Sequence, residues 1–295
     1  MKELIKFGIK VMEQELMAKH TTLAIGGPVD WYVEVFNLEQ LRALIQVVER
    51  ESLPLFFLGA GSNLLVDDSG IHGVVAHLQG EFEQISFNGN SVRAGAGVFL
   101  PTLVKLCAEK GLGGIEPLVG VPGTVGGALV MNAGTRDLEI GTIIQSVELI
   151  EKDGSLKILS QDQIKFQYRS SSLNGSILCF ATLKLMAGNK DVIIQTVQKF
   201  LSYRLKTQPI GTLNVGSVFK NPPRHFAAEL IEKAGLKGFK IGNAQVSPKH
   251  ANFITNCGGA SAQNIKDLIH KIQEIVKEKF SIELEPEVKI VGGRL

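Results

Sequence analysis

The sequence predicts an α+β fold, and three observations carry that expectation. Short runs rich in β-branched and aromatic residues alternate with glycine turns, as at Trp31–Phe36, Pro54–Leu58 and Ile177–Leu185. Helical spacing of apolar residues is confined to a few capped segments. The 295 residues are 44% hydrophobic and 20% charged, with a net charge of +2. That is an ordinary globular composition with room for two domains, and it gives no field that favours nucleic acid or an anionic membrane.

In order, Gly26-Gly27-Pro28 makes a bare-backbone turn, either a ligand contact or only a turn, ahead of the strand Trp31–Phe36. Asn37 and Gln40 carry a capping-box pattern and open a helix with Leu41, Leu44, Ile45 and Val48 on one face. The strand Pro54–Leu58 then runs straight into Gly59-Ala60-Gly61-Ser62-Asn63-Leu64-Leu65-Val66. That junction invites the G-x-G-x-x-G fingerprint. Leu64 stands where the third glycine belongs, however, and no long amphipathic helix precedes Asp67, which weighs against a Rossmann turn.

Strands follow at Val74–Leu78 and Val92–Gly97, then a helix from Leu100 to Lys110 stopped by Gly111. Gly120–Gly134 holds glycines 120, 123, 126, 127 and 134 with apolar residues between them, and reads as a turn chain held against something rather than a helix. Gly126-Gly127 presents two neighbouring backbone N–H groups, the makings of an anion nest, or else the stretch is a tight structural loop. With Gly59–Val66 it suggests two loops clamping one phosphate-rich cofactor. Asp153-Gly154, flanked by Val147–Lys152 and Ser155–Leu159, is a hairpin signal. Ile177–Leu185 is a strand, and Asp191–Leu205 is a helix with Ile194, Val197, Phe200 and Leu201 at its packed spacing.

A domain boundary is expected near Ala187–Lys190. Beyond it lie a helix from Phe226 to Ala234 and a Ser261-capped helix with Ile265, Leu268, Ile269, Ile272, Ile275 and Val276 on one side. Ser281–Ile290 reads as a period-2 strand, with Ile282, Leu284, Val288 and Ile290 opposite Glu283, Glu285, Glu287 and Lys289. These elements suit a small α/β domain.

Cys107, Cys179 and Cys257 lack C-x-x-C spacing and read as reduced, buried thiols. The N-terminus has no apolar core for a signal peptide and no run reaches membrane length, so a cytoplasmic protein without membrane contact is expected. The histidines lack metal-ligand spacing, and no metal is expected. Three polar residues stand out. Arg169 suits a carboxylate or phosphate, or is a surface arginine on a loop. Ser217 places a hydroxyl in an apolar setting, or is a turn residue. Alternation alone makes Glu287 a solvated carboxylate. Gly216-Ser217-Val218-Phe219 is not G-x-S-x-G, so a hydrolase elbow has no support.

Taken as an ordered set, these pieces are specific. The chain carries Ile25-Gly-Gly-Pro, Gly59-Ala-Gly-Ser-Asn-Leu-Leu, Gly120-Val-Pro-Gly-Thr-Val-Gly-Gly-Ala and Met131-Asn-Ala-Gly. Tyr168-Arg-Ser, Gly216-Ser-Val-Phe-Lys-Asn-Pro, Val246-Ser-Pro-Lys-His-Ala-Asn-Phe-Ile and Leu284-Glu-Pro-Glu-Val follow. The series, from about Thr21 to Gly292, resembles the UDP-N-acetylenolpyruvoylglucosamine reductase family. The short segment after Arg169 resembles the class without the extra substrate-capping tyrosine loop.

The resemblance implies an FAD-binding fold of the vanillyl-alcohol-oxidase (PCMH) type over residues 20–188, in two lobes, and a smaller substrate-binding domain over 189–295. It implies FAD as cofactor, NADPH as reductant and UDP-N-acetylglucosamine enolpyruvate as substrate, in a monomeric enzyme of peptidoglycan precursor synthesis, and hence of cell shape and division. By motif, Ser217 is the proton donor, while Arg169 and Glu287 stabilise the enol-like intermediate. Gly59, Ala60, Gly61, Ser62, Asn63, Leu64, Pro122, Gly123, Thr124, Val125, Gly126, Gly127, Asn132 and Ala133 line the FAD, with the amides of Asn63 and Asn132 at hand. Lys206, Lys220 and Asn221 fall to the UDP-sugar. Thr207 intervenes between Lys206 and Gln208-Pro209, and Ser172-Leu-Asn-Gly stands where the family often has an aromatic. Two alternatives remain on the sequence: another flavin enzyme of the same scaffold, or a nucleotide-binding module without catalysis.

Overall fold

The computed structural model describes residues 1–294. The chain packs into two compact units, each assembled from separate stretches. The first takes Met1–Glu13, Trp31–Ala60 and Gly73–Tyr203; the second takes Gln14–Asp30, Gly61–His72 and the residues from Arg204 onward. In chain order the elements begin β1 (Lys10–Leu16), β2 (Pro28–Val35), α1 (Leu38–Arg50), β3 (Leu55–Leu58) and β4 (Leu64–Leu78). Next are β5 (Ile85–Asn88), β6 (Ser91–Gly95), α2 (Leu100–Glu109), β7 (Leu112–Gly113), α3 (Val125–Val130), β8 (Ile144–Ile150) and β9 (Leu156–Ser160). Then come β10 (Phe166–Gln167), β11 (Ser170–Ser171), β12 (Ile177–Lys184), β13 (Met186–Ala187) and α4 (Lys190–Thr207). The last are β14 (Asn214–Ser217), α5 (Ala227–Lys233), β15 (Lys240–Ile241), β16 (Ala244–Val246), β17 (Phe253–Asn256), α6 (Ala262–Phe280) and β18 (Lys289–Arg294).

In the first unit an antiparallel sheet runs in the order β5-β6-β12-β8-β9. There, β3 lies parallel to the later half of β4, from Leu55 opposite Val74 to Leu58 opposite His77. The core gathers Val33, Leu44, Phe82, Leu103, Val147 and Phe180. Helix α1 forms as expected: Asn37 Oδ1 accepts from Gln40 N at 2.9 Å, and Leu41, Leu44, Ile45 and Val48 are buried.

The second unit has its own core, including Leu23, Leu65, Phe219, Leu230, Ile265, Leu268 and Leu284. Its antiparallel sheet runs β14-β17-β16-β15, and α6 packs against α5, β15 and β16. Strand β18 lies parallel to the early half of β4, starting with Lys289 opposite Leu64. Helix α6 is firmly started. Ser261 and Asn264 form a capping box, and the Asp68 carboxylate accepts from Ala262 N at 2.7 Å and Gln263 N at 3.1 Å. A carboxylate there satisfies otherwise orphaned donors and complements the helix dipole.

Four local expectations are corrected. Part of Gly120–Gly134 is helical: Thr124 caps α3 through Gly127 N, and buried Gly126 fits against Ala96. The hairpin at Asp153-Gly154 is not a two-residue turn, because pairing ends at Ile150 opposite Leu156 and Asp153 Oδ1 accepts from Ser155 N. Ser281–Ile290 is not one strand, since Pro286 has no N–H to donate and β18 starts only at Lys289. Leu284 and Val288 are buried there, but Ile290 is 48% exposed. Finally, Cys257 is exposed; Cys107 and Cys179 are buried, and burial pushes both thiols up to about 12.

Candidate active site

The first unit brings the two glycine stretches together. A Cβ on Gly59 would lie 2.6 Å from Thr124 Oγ1, so β3 can end against the cap of α3 only with a bare backbone. Gly123 O accepts from Leu100 N, while Val125 N and Gly126 N donate to Val98 O and Ala96 O at 2.9 Å each. Gly127 N donates to Thr124 Oγ1 at 3.3 Å. The expected pair of bare N–H groups at Gly126-Gly127 is therefore absent, because both donors have partners within the chain. What remains open is the surface of Gly127, which is exposed and where a Cβ would meet only Thr124 Oγ1 at 3.5 Å. Pro122 is exposed as well.

Arg169 lies against the same segment from a separate hairpin. Gln167 pairs with Ser170, leaving Tyr168-Arg169 as the turn of the β10–β11 hairpin, with Arg169 at φ +57°. A non-glycine residue in that region is uncommon. The turn is fastened to the chain after α3. Arg169 Nη2 donates to Gly134 O at 3.0 Å, and Ser171 Oγ donates to Leu129 O at 2.8 Å. Asn132 completes the fastening: its Nδ2 donates to Glu139 and to Gln167 O, and its Oδ1 accepts from Gly141 N. It is 1% exposed. Its amide is thus occupied inside the protein rather than offered outward, contrary to expectation. Ala133 N donates to Ala128 O, closing α3.

In the second unit, Gly61 has φ +62°, and a Cβ there would strike His20 O at 2.1 Å. The N–H groups of Gly61, Ser62 and Asn63 donate to no acceptor among the described residues. Successive donors of this kind form an anion-binding concavity. The loop runs on into buried Leu64 at the start of β4. Asn63 also reaches the C-terminal segment: its Nδ2 donates to Glu287 O at 3.0 Å, and its O accepts from Lys289 N at 3.0 Å. Glu287 N in turn donates to Val218 O at 2.7 Å. Ser217 and Glu287, far apart in sequence, therefore stand on directly hydrogen-bonded segments, both half-buried. By contrast, Gly26-Gly27 is pressed against β4, where a Cβ on Gly27 would lie 2.2 Å from Asp68 O. That stretch is a packing turn.

Lys220 Nζ donates to Glu285 Oε1 at 2.6 Å, and Asn221 Oδ1 accepts from Ala227 N at the start of α5. Lys206 is exposed near the end of α4. One basic residue was missed: Arg204. Its Nε is buried without an acceptor among the described residues, and burial lowers its pKa to about 10. The signal was available, since Ile193, Val197, Phe200 and Leu201 set a helical stripe that reaches position 204 and passes over 206.

Comparisons with known proteins give the family of the chain. A family profile described as "UDP-N-acetylenolpyruvoylglucosamine reductase, C-terminal domain" matches residues 208–291, and one described as "FAD binding domain" matches 29–160. UDP-N-acetylenolpyruvoylglucosamine reductase 2 of Symbiobacterium thermophilum is 40% identical over 294 residues, 99% of this chain and 96% of that protein. The Bacillus subtilis reductase is 38% identical over 287 residues, 96% of this chain and 95% of that protein. The crystal structure of the reductase from Thermus caldophilus superposes with a TM-score of 0.83 at 36% identity, covering 96% of this chain and 98% of that one. A BBE-like protein of Physcomitrella patens, at TM-score 0.57 and 12% identity over 94% of this chain and 88% of its own, shares the fold alone. Over nearly its whole length, then, the chain belongs to the UDP-N-acetylenolpyruvoylglucosamine reductase family.

Proposed function

We propose that the protein is an FAD-dependent reductase that uses NADPH to convert UDP-N-acetylglucosamine enolpyruvate into UDP-N-acetylmuramate, a step of peptidoglycan precursor synthesis. Nearly full-length likeness to reductases of that name supports the reading. One structural observation carries it furthest: the 2.7 Å bond from Glu287 N to Val218 O, which sets the segments of Ser217 and Glu287 side by side. The residues present also fit the cofactor. In the second unit the three undonated N–H groups of Gly61–Asn63 suit a diphosphate, and in the first unit the open surface of Gly127 admits close approach.

Bound FAD supplies the hydride that NADPH provides and the enolpyruvyl methylene carbon accepts. The chain's own residues manage charge and protons around that transfer. Negative charge develops on the neighbouring carbon and its carboxylate. Arg169, fixed in its turn, would stabilise it with a planar guanidinium. The Ser217 hydroxyl would deliver the proton to that carbon. Glu287, in its protonated form, would share in stabilising the intermediate; ionised, it would repel the same charge. Lys206, Lys220, Asn221 and the half-buried Arg204 are the candidates for the UDP-sugar. Residues 20–188 would serve as the flavin domain and 189–295 as the substrate domain, a division supported by the two profile matches. No helix among the described residues is long and apolar enough to cross a membrane. A monomer acting in the cytoplasm, in the service of cell shape and division, completes the proposal.

The test uses the purified protein. It should be yellow, should bleach with NADPH in the absence of air, and should regain colour when the enolpyruvyl sugar nucleotide is added. A colourless protein, or reduced flavin that the sugar nucleotide leaves unchanged, refutes the reading.

A further inference from the structure

Asn252 lies just before β17, in a position that none of the reactive groups occupies, and is 5% exposed. Its side chain grips one residue at both ends. Oδ1 accepts from Phe219 N at 3.0 Å, and Nδ2 donates to Phe219 O at 2.8 Å. Its main-chain O accepts from Val218 N at 2.9 Å. The reason lies in the ladder: β14 and β17 pair as far as Ser217 opposite Phe253 and then stop. Beyond that point, buried Phe219 has an N–H and a C=O that no strand satisfies on this side. Leaving such buried groups unpaired is costly, because nothing offsets their loss of hydration. An amide side chain offers one acceptor and one donor together, and so replaces a missing peptide partner.

The gripped segment is the one that joins the two proposed acid groups. Ser217 immediately precedes it. On its other side Val218 O accepts from Glu287 N at 2.7 Å, Phe219 bridges to Pro286, and Lys220 N donates to Glu285 O at 2.9 Å. Residues 218–220 are thus held between the Asn252 amide and the chain leading into Glu287. We infer that Asn252 is a positioning residue for the reaction, fixing the Ser217 hydroxyl and the Glu287 carboxyl relative to each other without touching substrate or flavin. The inference rests on the reductase reading above. A displacement of about 1 Å in a reacting group costs on the order of 10²-fold in rate, so the amide matters to the proton-delivering half of the reaction and not to flavin reduction.

Asn252→Asp tests this in the full-length, flavin-loaded protein. A neutral carboxyl both accepts and donates, and restores the grip. An ionised one repels Phe219 O, and burial favours the neutral form well above the usual carboxylate range. Anaerobic stopped-flow is run for each half-reaction across pH, and the variant-to-parent ratio is read. His250, Lys220, Glu285 and Glu287, titratable groups on the adjoining segments, are common to both proteins, so the ratio reports the new carboxyl together with its coupling to them. His250 is the nearest of them, its Nδ1 accepting from Asn252 N at 3.3 Å.

The ratio for substrate-driven flavin reoxidation should approach one at low pH and fall about 10- to 100-fold along a single-proton curve as pH rises. The ratio for NADPH-driven reduction should stay flat. Asn252→Ser, whose hydroxyl cannot span both groups, should lower kcat for reoxidation by a similar factor with KM changed less than about 3-fold. A pH-independent ratio, or equal loss in both half-reactions, overturns the inference. So does failure of both variants to fold with parental flavin content, since Asn252 would then serve stability alone. If the parent itself shows no substrate-driven reoxidation, the reductase reading fails first and the inference falls with it.

Discussion

Gly126 and Gly127 stand side by side in α3, and the space around them separates packing from ligand contact. A Cβ at buried Gly126 would lie 3.0 Å from Ala96 Cβ and 3.1 Å from Ala96 O. One at exposed Gly127 would meet only Thr124 Oγ1, at an ordinary 3.5 Å. Alanine at a helical position that accepts it stabilises a protein by about 0.4–1 kcal/mol. Gly127→Ala should therefore raise the melting temperature of the flavin-free protein by about 1–4 °C. Gly126→Ala should lower it, because crowding a packed site costs about 1–3 kcal/mol. Flavin affinity should separate the two differently. If the diphosphate approaches the bare face of Gly127, a methyl there overpacks the complex by a similar amount, weakening Kd by about 5- to 150-fold. Thermal melts of the apoprotein and fluorescence titration with FAD measure both effects. A Gly127→Ala protein that is more stable and still binds FAD as tightly as the parent refutes the reasoning and leaves this loop purely structural.

Other expectations follow from the same geometry. Ser217→Ala should slow reoxidation of the reduced flavin by about 10²–10⁴ while flavin content and NADPH-driven reduction hold; turnover within a few-fold of the parent would mean that the proton comes from elsewhere. Arg169→Lys keeps the charge but not the planar fork, so the substrate half-reaction should suffer alone, and equal damage to both halves would move Arg169 to the flavin. The Lys266 ammonium and the Ser69 N–H and hydroxyl hold the Asp67 carboxyl down to about 2, so its stabilisation is present above the unfolded value and lost as pH falls through the folded one. Asp67→Asn should accordingly melt below the parent at neutral pH, with the gap closing from about pH 4 downward; a pH-independent gap counts against the ion pair. An aromatic disulfide reagent should label exposed Cys257 in the native protein and reach Cys107 and Cys179 only on unfolding, so rapid native labelling of all three would contradict the burial.

What was legible in the sequence was local. Helices α1 and α6 announced themselves through Asn37 and Ser261 and through apolar periodicity, because caps and period are written within a few residues. Helix α3 was hidden because two adjacent glycines weaken helix propensity; the Thr124 cap and the close fit to Ala96 outweigh that, and the second of these is a tertiary fact. Alternation over Ser281–Ile290 misled for a related reason. Leu284 and Val288 are buried as a strand would bury them, yet Pro286 interrupts the ladder. At the candidate site, motifs singled out Ser217, Glu287 and the Gly59–Leu64 loop. The bonds that join their segments run through Asn63 and Asn252, whose partners lie 224 and 33 positions away and leave no local trace. Arg204 was readable from the α4 stripe, but the basic residue nearer Gln208-Pro209 drew attention from it.

The discontinuous make-up of the second unit has a consequence for how the protein is born. Its core needs Leu23, Ile25 and Leu65 from the opening quarter of the chain together with residues from Val215 to Val288. On the ribosome those early side chains emerge long before their neighbours exist. Strand β18, which completes the pairing of Leu64–Val66, is translated long after them. Such non-local closure is slow, because the loop entropy must be met before the contacts form. The nascent chain therefore carries two apolar stretches, around Leu23–Ile25 and Leu64–Val66, without the neighbours that bury them until the residues from Val215 to Val291 emerge. Those stretches are where a holdase chaperone would engage it, and where an interrupted translation product would aggregate.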